Sequence, residues 1–181
     1  FGHGLDRVWF DVPQTELVAV ADANPDGLAA AGTRLGNVQW YDDYRHLLDE
    51  MKPDLVSIAP RWLNQHAEIV TAAAERGAKG HYLEKPMCRN LVEADAMVAV
   101  CAKHHVKLAM AHQTRYSPKI AVIRELIDSG ALGKVLEIRA RGKDDHRGGG
   151  EDLWVLGTHM LDLMQLLGGK PISCTATVLQ K

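Results

Sequence analysis

Apolar residues in the first part of the chain form short runs that are separated by longer amphipathic segments. Most runs are continuous and end in polar or proline residues, which is typical of strands buried on both faces of a parallel sheet. The predicted strands cover residues 16–22, 38–40, 54–59, 80–83 and 107–112. The segments between them predict helices over residues 24–36, 42–51, 64–76 and 90–104. This alternation predicts an α/β fold, a doubly wound parallel sheet with crossover helices on both faces.

Several helix ends carry residues that favour them. Asn24 and Asn90 stand where an N-cap side chain accepts backbone N–H bonds, and Pro25 follows at a first helical position. Gly77 is placed to end the third helix. These signals support the helix boundaries that the hydrophobic pattern predicts.

The pattern changes after residue 117. Two further helices (117–130 and 153–167), two strands (135–141 and 171–179) and a polar, glycine-rich loop (142–152) are predicted there. We therefore expect a dinucleotide-binding domain over residues 1–114 and a truncated part of an α+β substrate and oligomerisation domain over residues 115–181. Because the chain opens on a glycine-rich turn, we expect the first strand of the first domain to lie outside these residues.

Composition limits the classes of partner. The chain has 181 residues, of which 46% are hydrophobic, and a formal net charge of −2. This balance gives no electrostatic reason to expect nucleic acid or an anionic membrane as partner, and no apolar run reaches the ~20 residues of a membrane-spanning helix. The three cysteines, Cys88, Cys101 and Cys174, are odd in number and far apart. They indicate a reducing compartment, and we expect the cytoplasm.

Asp22 is the first candidate for cofactor binding. An acid at the end of a strand in a dinucleotide-binding fold accepts hydrogen bonds from the ribose hydroxyls, and it lies 20 residues after Gly2. Its charge would repel a 2′-phosphate, which favours NAD, with NADP as the alternative. Gly2 would be the last glycine of a phosphate-binding turn. A solvated strand-end acid and an ordinary glycine turn are the alternatives.

Three further cofactor candidates follow the third predicted strand at its carboxyl end, where ligands bind in open α/β sheets. These are Pro60, Asn64 and His66. We expect Asn64 and His66 near the ribose or the nicotinamide. The alternative is that Asn64 caps the helix and His66 lies on its surface.

Lys85 lies directly after the fourth predicted strand, between Glu84 and Pro86. An ammonium group at such a strand end can hydrogen-bond a substrate hydroxyl or carbonyl oxygen and stabilise negative charge on it. Glu84 is placed to pair with this ammonium, and we expect both Glu84 and Lys85 to contribute to the cofactor site. The alternative is a solvated lysine in a surface salt bridge.

His159 is the candidate for proton transfer. It is three residues from Asp162 on the last predicted helix, so the two side chains share a face and the carboxylate can fix the tautomer of the imidazole. Histidine is the usual proton acceptor for alcohol oxidation near neutral pH. A surface His–Asp pair is the alternative.

The polar loop from Lys143 to Arg147 can hold a polyol, a carboxylate or a metal. Its Asp-Asp-His sequence has no second histidine at ligand spacing, so we predict no metal site.

Read in order, three motifs resemble the Gfo/Idh/MocA family of nicotinamide-dependent oxidoreductases. They are Glu84-Lys85-Pro86, Arg115-Tyr116 with the helix after it, and the Gly-x-His-x-x-Asp helix at 157–162. The resemblance implies a Rossmann domain followed by an α/β domain whose open sheet often forms an oligomer interface. It implies sugar, inositol or polyol substrates, and it matches Lys85 and His159 to the catalytic lysine and histidine of the family.

One position departs from the family pattern. Family members commonly carry an acid four residues before the histidine, where this chain has Val155. We expect an NAD(P)-dependent dehydrogenase or reductase of sugar-like alcohols, acting as a homo-oligomer through the C-terminal sheet. Arg115, Lys143, Arg147 and Asp162 would position the substrate. A non-catalytic dinucleotide sensor is the alternative, and a Rossmann methyltransferase, which would leave Glu84-Lys85-Pro86 unexplained, is a third.

Overall fold

The computed structural model describes residues 4–60, 62–141 and 152–177. The chain forms two compact units, Phe1–Ala111 and His112–Lys181. Unit 1 contains all the strands found among the described residues. They are β1 (Ala19–Ala21), β2 (Gln39–Tyr41), β3 (Leu55–Ile58), β4 (Gly80–Leu83) and β5 (Lys107–Met110).

All pairs of neighbouring strands are parallel. β1 pairs with β2, and β4 lies between β3 and β5. In the second group Ile58, Leu83 and Met110 are opposite one another at the last residues of their strands. The chain segments that follow β3 and β4 therefore leave the sheet side by side at its carboxyl edge.

Four helices connect these strands: α1 (Pro25–Leu35), α2 (Tyr44–Met51), α3 (His66–Glu75) and α4 (Leu91–Lys103). The two predicted asparagine caps are confirmed. Asn24 accepts from the backbone N–H groups of Asp26 and Gly27, and Asn90 accepts from that of Glu93. Each cap satisfies donors that the first helical turn leaves without a partner.

The core of unit 1 lies between the three-stranded sheet and the helices α3 and α4. Its buried members are Ile58, Val70, Ala74, Leu83, Met97, Cys101 and Val106. Leu83, Val70 and Met97 are fully buried. β4 is the central strand of this sheet, and three of its four residues are buried. The residues that follow it are thus attached to the most buried strand of the unit.

The start of α3 differs from the prediction. Residues Leu63–Gln65 form a 3₁₀ turn, and the helix begins at His66 with no side-chain cap. Asn64 is therefore not the cap of this helix. The alternative of a surface histidine is also wrong, because His66 is 1% exposed.

Unit 2 contains α5 (Pro118–Asp128) and α6 (Gly157–Gly168), which directly follows a π-helical turn, Asp152–Leu156. The strands predicted over 135–141 and 171–179 are wrong over their described residues, 135–141 and 171–177. A strand needs a neighbour that satisfies its backbone hydrogen bonds, and no pairing strand is present in the described part of unit 2. Ile172, in the second of these segments, is fully exposed.

No helix within the described ranges combines the length and the apolar character needed to cross a membrane.

Candidate active site

Lys85 is buried at the carboxyl end of the central strand. The backbone N–H of Glu84 donates to the carbonyl oxygen of Ile58 at 2.8 Å, which extends the β3–β4 ladder by one residue. Lys85 is 5% exposed and Glu84 is 7% exposed. The alternative of a solvated lysine is therefore wrong.

The two charges of this strand end are close together. The distance from Lys85 Nζ to Glu84 Oε1 is 4.0 Å, and the backbone N–H of Lys85 donates to the same oxygen at 3.2 Å. Removing an ammonium from water is unfavourable unless an opposite charge compensates it. Glu84 supplies that charge, and the ammonium of Lys85 can donate hydrogen bonds to a bound oxygen.

His66 links the loop after Lys85 to the start of α3. Its Nδ1 lies 3.1 Å from the carbonyl oxygen of Met87, and its Nε2 is buried with no hydrogen-bond partner among the described residues. Sequence reasoning missed the contact with Met87 because the two residues are 21 positions apart. The contact restrains the chain just beyond the Lys85–Pro86 peptide, which is cis.

Asp22 follows β1 and lies beside the first turn of α1. Its Oδ1 accepts from the backbone N–H of Asn24 at 2.9 Å. A Cβ at Gly27 would lie 2.6 Å from Asp22 Oδ2. Any residue other than glycine would therefore displace the carboxylate from its present position. The positive end of the α1 dipole favours a negative charge at this position. A carboxylate held in this way fits the ribose hydroxyls of a dinucleotide, which are hydrogen-bond donors.

The other predicted cofactor residues are distributed as follows. Pro60 is half-buried two residues after β3, and Asn64 is exposed in the 3₁₀ turn. Gly2 lies outside the described residues, as do Lys143 and Arg147 of the polar loop. The roles of all five residues stay predictions.

Unit 2 brings His159 of α6 against a second histidine. The rings of His112 and His159 are edge to face, with centroids 5.5 Å apart and planes at 89°. His112 was not predicted as a functional residue, because its partner lies far along the chain. The only available signal was its position, two residues after β5 and three residues before Arg115.

Asp162 pairs with Arg115, with 3.5 Å between Asp162 Oδ2 and Arg115 Nε. The sequence predicted this carboxylate as the partner of His159, and that pairing stays a prediction. Val155, where the family pattern has an acid, is half-buried in the π-helical turn. Its carbonyl oxygen accepts from the Thr158 hydroxyl at 3.4 Å.

Among the residues that the structure describes, no cluster of three or more histidine, cysteine, aspartate or glutamate side chains could hold a metal ion.

Comparison with known proteins gives a consistent result. A family model for an oxidoreductase family with an NAD-binding Rossmann fold matches residues 4–112. The chain is 32% identical to the D-apiose dehydrogenase of Paraburkholderia graminis over 133 residues, which cover 74% of this chain and 35% of that protein. It is 30% identical to the levoglucosan dehydrogenase of Pseudarthrobacter phenanthrenivorans over 167 residues, which cover 83% of this chain and 42% of that protein. The chain thus spans less than half the length of these two relatives.

Solved structures show the same fold. An oxidoreductase from Agrobacterium radiobacter, in complex with NAD⁺, L-tartaric acid and magnesium, matches with a TM-score of 0.79 and 25% identity, covering 92% of this chain and 51% of that one. The scyllo-inositol dehydrogenase from Lactobacillus casei, with bound NAD(H) and scyllo-inositol, matches with a TM-score of 0.80 and 18% identity, covering 90% of this chain and 51% of that one.

These findings confirm the predicted fold class and the family resemblance, because the family model matches more than half of the 181 residues. The chain belongs to the Gfo/Idh/MocA family of oxidoreductases and contains its NAD-binding Rossmann fold.

Proposed function

We propose that this protein is an oxidoreductase that transfers a hydride between NAD(P) and a secondary alcohol or carbonyl group of a sugar, an inositol or a related polyol. The observation that carries the proposal is Lys85, a buried lysine at the carboxyl end of the central strand with Glu84 beside it. The names of similar proteins support the substrate class: D-apiose dehydrogenase, levoglucosan dehydrogenase and myo-inositol 2-dehydrogenase.

In this proposal residues 1–114 bind the cofactor, and residues 115–181 are part of the substrate domain. Asp22 would hold the adenosine ribose, and Gly2 would lie against the pyrophosphate. Pro60, Asn64, His66 and Glu84 would complete the cofactor site. When bound, NAD(P)⁺ supplies the hydride acceptor for alcohol oxidation. The carboxylate of Asp22 favours NAD over NADP because it would repel a 2′-phosphate.

Lys85 would bind the oxygen of the substrate. Its ammonium donates a hydrogen bond to the hydroxyl of the alcohol and stabilises the negative charge that develops on this oxygen as the proton leaves. The stabilisation is strong where water is excluded, and Lys85 is almost completely buried.

His159 would take the hydroxyl proton. In the forward direction the carbinol carbon loses a hydride and the oxygen loses a proton, which leaves a carbonyl group and a protonated imidazole. In reduction, the imidazolium returns the proton. Arg115, Asp162, Lys143 and Arg147 would position the remaining hydroxyls or a carboxylate.

Location and assembly belong to the same proposal. Cys88, Cys101 and Cys174 are free thiols, which supports a cytoplasmic location. The family resemblance supports a homo-oligomer formed through the C-terminal sheet.

The test is Lys85→Ala in the intact protein, assayed by reduced-nicotinamide absorbance over a panel of sugars and polyols. We expect kcat to fall by about 100- to 1,000-fold, because the developing charge on oxygen loses its donor. NAD affinity, measured by calorimetry, should stay near that of the unchanged protein. The matched control is Lys79→Ala, since Lys79 forms an exposed ion pair with Asp54 and should be replaceable without loss of turnover. Unchanged turnover in Lys85→Ala would refute the role of Lys85.

Val155 is the specific observation that favours the second candidate, a non-catalytic dinucleotide sensor. It leaves no carboxylate one helical turn before His159. If the unchanged protein binds NAD but turns over no member of the panel, the sensor is the better description.

A further inference from the structure

Two pairs of side chains connect the segment after β5 with α6 inside unit 2. His112 contacts His159 ring against ring, and Arg115 pairs with Asp162. The paired residues are three positions apart in both segments. Arg115 lies in a 3₁₀ turn, Gln113–Tyr116, that begins directly after His112. His159 and Asp162 are three apart and share a face of α6, so the two contacts support the same alignment.

The ring contact has a defined geometry. Edge-to-face aromatic pairs prefer centroid distances of roughly 4.5 to 7 Å, and the rings here are 5.5 Å apart at 89°. The Nδ1 atoms of both imidazoles are buried. The imidazole of His159 is therefore enclosed on the side that carries Nδ1, and the neighbouring ring of His112 limits the rotation of His159 about its side-chain bonds.

The structure defines a ring contact for the imidazole of His159. The position one turn earlier is Val155, and the Asp162 carboxylate pairs with Arg115. We propose that His112 is a positioning residue of His159, and that it orients this imidazole by ring contact. The inference rests on the proposed function, because the orientation matters for proton transfer by His159.

The kinetic test compares His112→Ala with His112→Phe in the intact protein. His112→Ala removes the ring, and we expect kcat to fall by about 10- to 100-fold because the proton acceptor is no longer held in place. The KM for NAD should not change. His112→Phe keeps an aromatic ring without a titratable nitrogen, so it should recover most of the loss. A His112→Phe variant as slow as His112→Ala would overturn positioning by ring contact.

Two controls separate positioning from a general structural effect. His46 is exposed on α2, so His46→Ala should leave kcat unchanged. In a His159→Ala background, adding His112→Ala should cause no further loss, because a residue that acts through His159 has no effect without it. An equal loss in both backgrounds would overturn the proposal.

The imidazole signals of His159 provide a measurement that does not depend on turnover. They should move in the NMR spectrum of His112→Ala and return towards their original position in His112→Phe. If the unchanged protein shows no turnover, the proposed function fails, and these signals alone decide the positioning role. A different result would overturn the positioning role alone. In that case the protein is active and His159→Ala is inactive, but His112→Ala keeps the kcat and the His159 signals of the unchanged protein.

Discussion

At the scale of single residues, the Asp22 carboxylate has room because Gly27 has no side chain. The carboxylate is held on one side by the backbone N–H of Asn24 at 2.9 Å. On the other side its Oδ2 lies only 2.6 Å from the position that a Cβ of Gly27 would take. Gly27 lies in the first turn of α1, where glycine has no intrinsic advantage over alanine. Its benefit is therefore the room it leaves for Asp22.

Gly27→Ala tests this arrangement. The new methyl group would displace Asp22 Oδ2, which lies 2.6 Å from the Cβ position. We expect the KM for NAD to rise by about 10-fold or more, the effect of losing a hydrogen bond to a charged group. The thermal midpoint should hold, because alanine is the better helix former. Steady-state kinetics measures the KM for NAD and the KM for NADP in both proteins.

The matched background is Asp22→Ala. If Gly27 acts by making room for the carboxylate, Gly27→Ala should add little to the loss caused by Asp22→Ala. Fully additive effects would contradict this explanation.

At the scale of elements, α4 is the helix that follows the Lys85 loop and packs on the central sheet through Met97 and Cys101. Asn90 begins it by accepting from the backbone N–H of Glu93 at 3.0 Å. The Glu93 carboxylate in turn accepts from the backbone N–H of Arg89 at 2.9 Å. These reciprocal bonds satisfy backbone donors on both sides of the helix start.

Asn90→Ala should lower the free energy of unfolding by about 1 kcal/mol, the usual effect of losing an N-cap. Asn90→Asp keeps an oxygen acceptor at the same place and should retain most of the stability. Urea denaturation followed by circular dichroism measures both variants. Equal stability of Asn90→Ala and the unchanged protein would show that the cap is not needed.

At the scale of the whole molecule, a histidine in the core makes stability depend on pH. His81 on β4 is 3% exposed, and its Nδ1 lies 4.0 Å from Cys101 Sγ. Burial lowers the pKa of His81 from 6.5 to about 4. The folded protein therefore keeps this imidazole neutral in a pH range where the unfolded chain protonates it.

The contribution of the neutral His81 to the free energy of unfolding is fully present above pH 6.5. It is lost as the pH falls towards 4. It should reach about 3 kcal/mol, since one pKa unit corresponds to ~1.4 kcal/mol. His81→Leu, which cannot bind a proton, should flatten the pH dependence of the unfolding free energy across this range. His46→Leu at the exposed position should keep the original slope. The same acid slope in His81→Leu and the unchanged protein would contradict the assignment.

The sequence by itself determined the strands and helices of unit 1 apart from the start of α3, because their signals are local. A continuous apolar run predicts a buried strand wherever it pairs, and Asn24 and Asn90 cap helices through residues two or three positions ahead. The motif at 84–86 and the helix at 157–162 also pointed to the family that the comparison confirmed.

Only the tertiary structure decided the contacts between residues that are distant along the chain. It buried Lys85 and His66, attached His66 to the loop after Lys85, and paired Asp162 with Arg115. The two strands predicted in unit 2 were wrong for the same reason, because a strand depends on a partner that its own sequence does not contain. His112 shows the same dependence. Its local sequence does not single it out, and its proposed role rests on the ring that it contacts within unit 2.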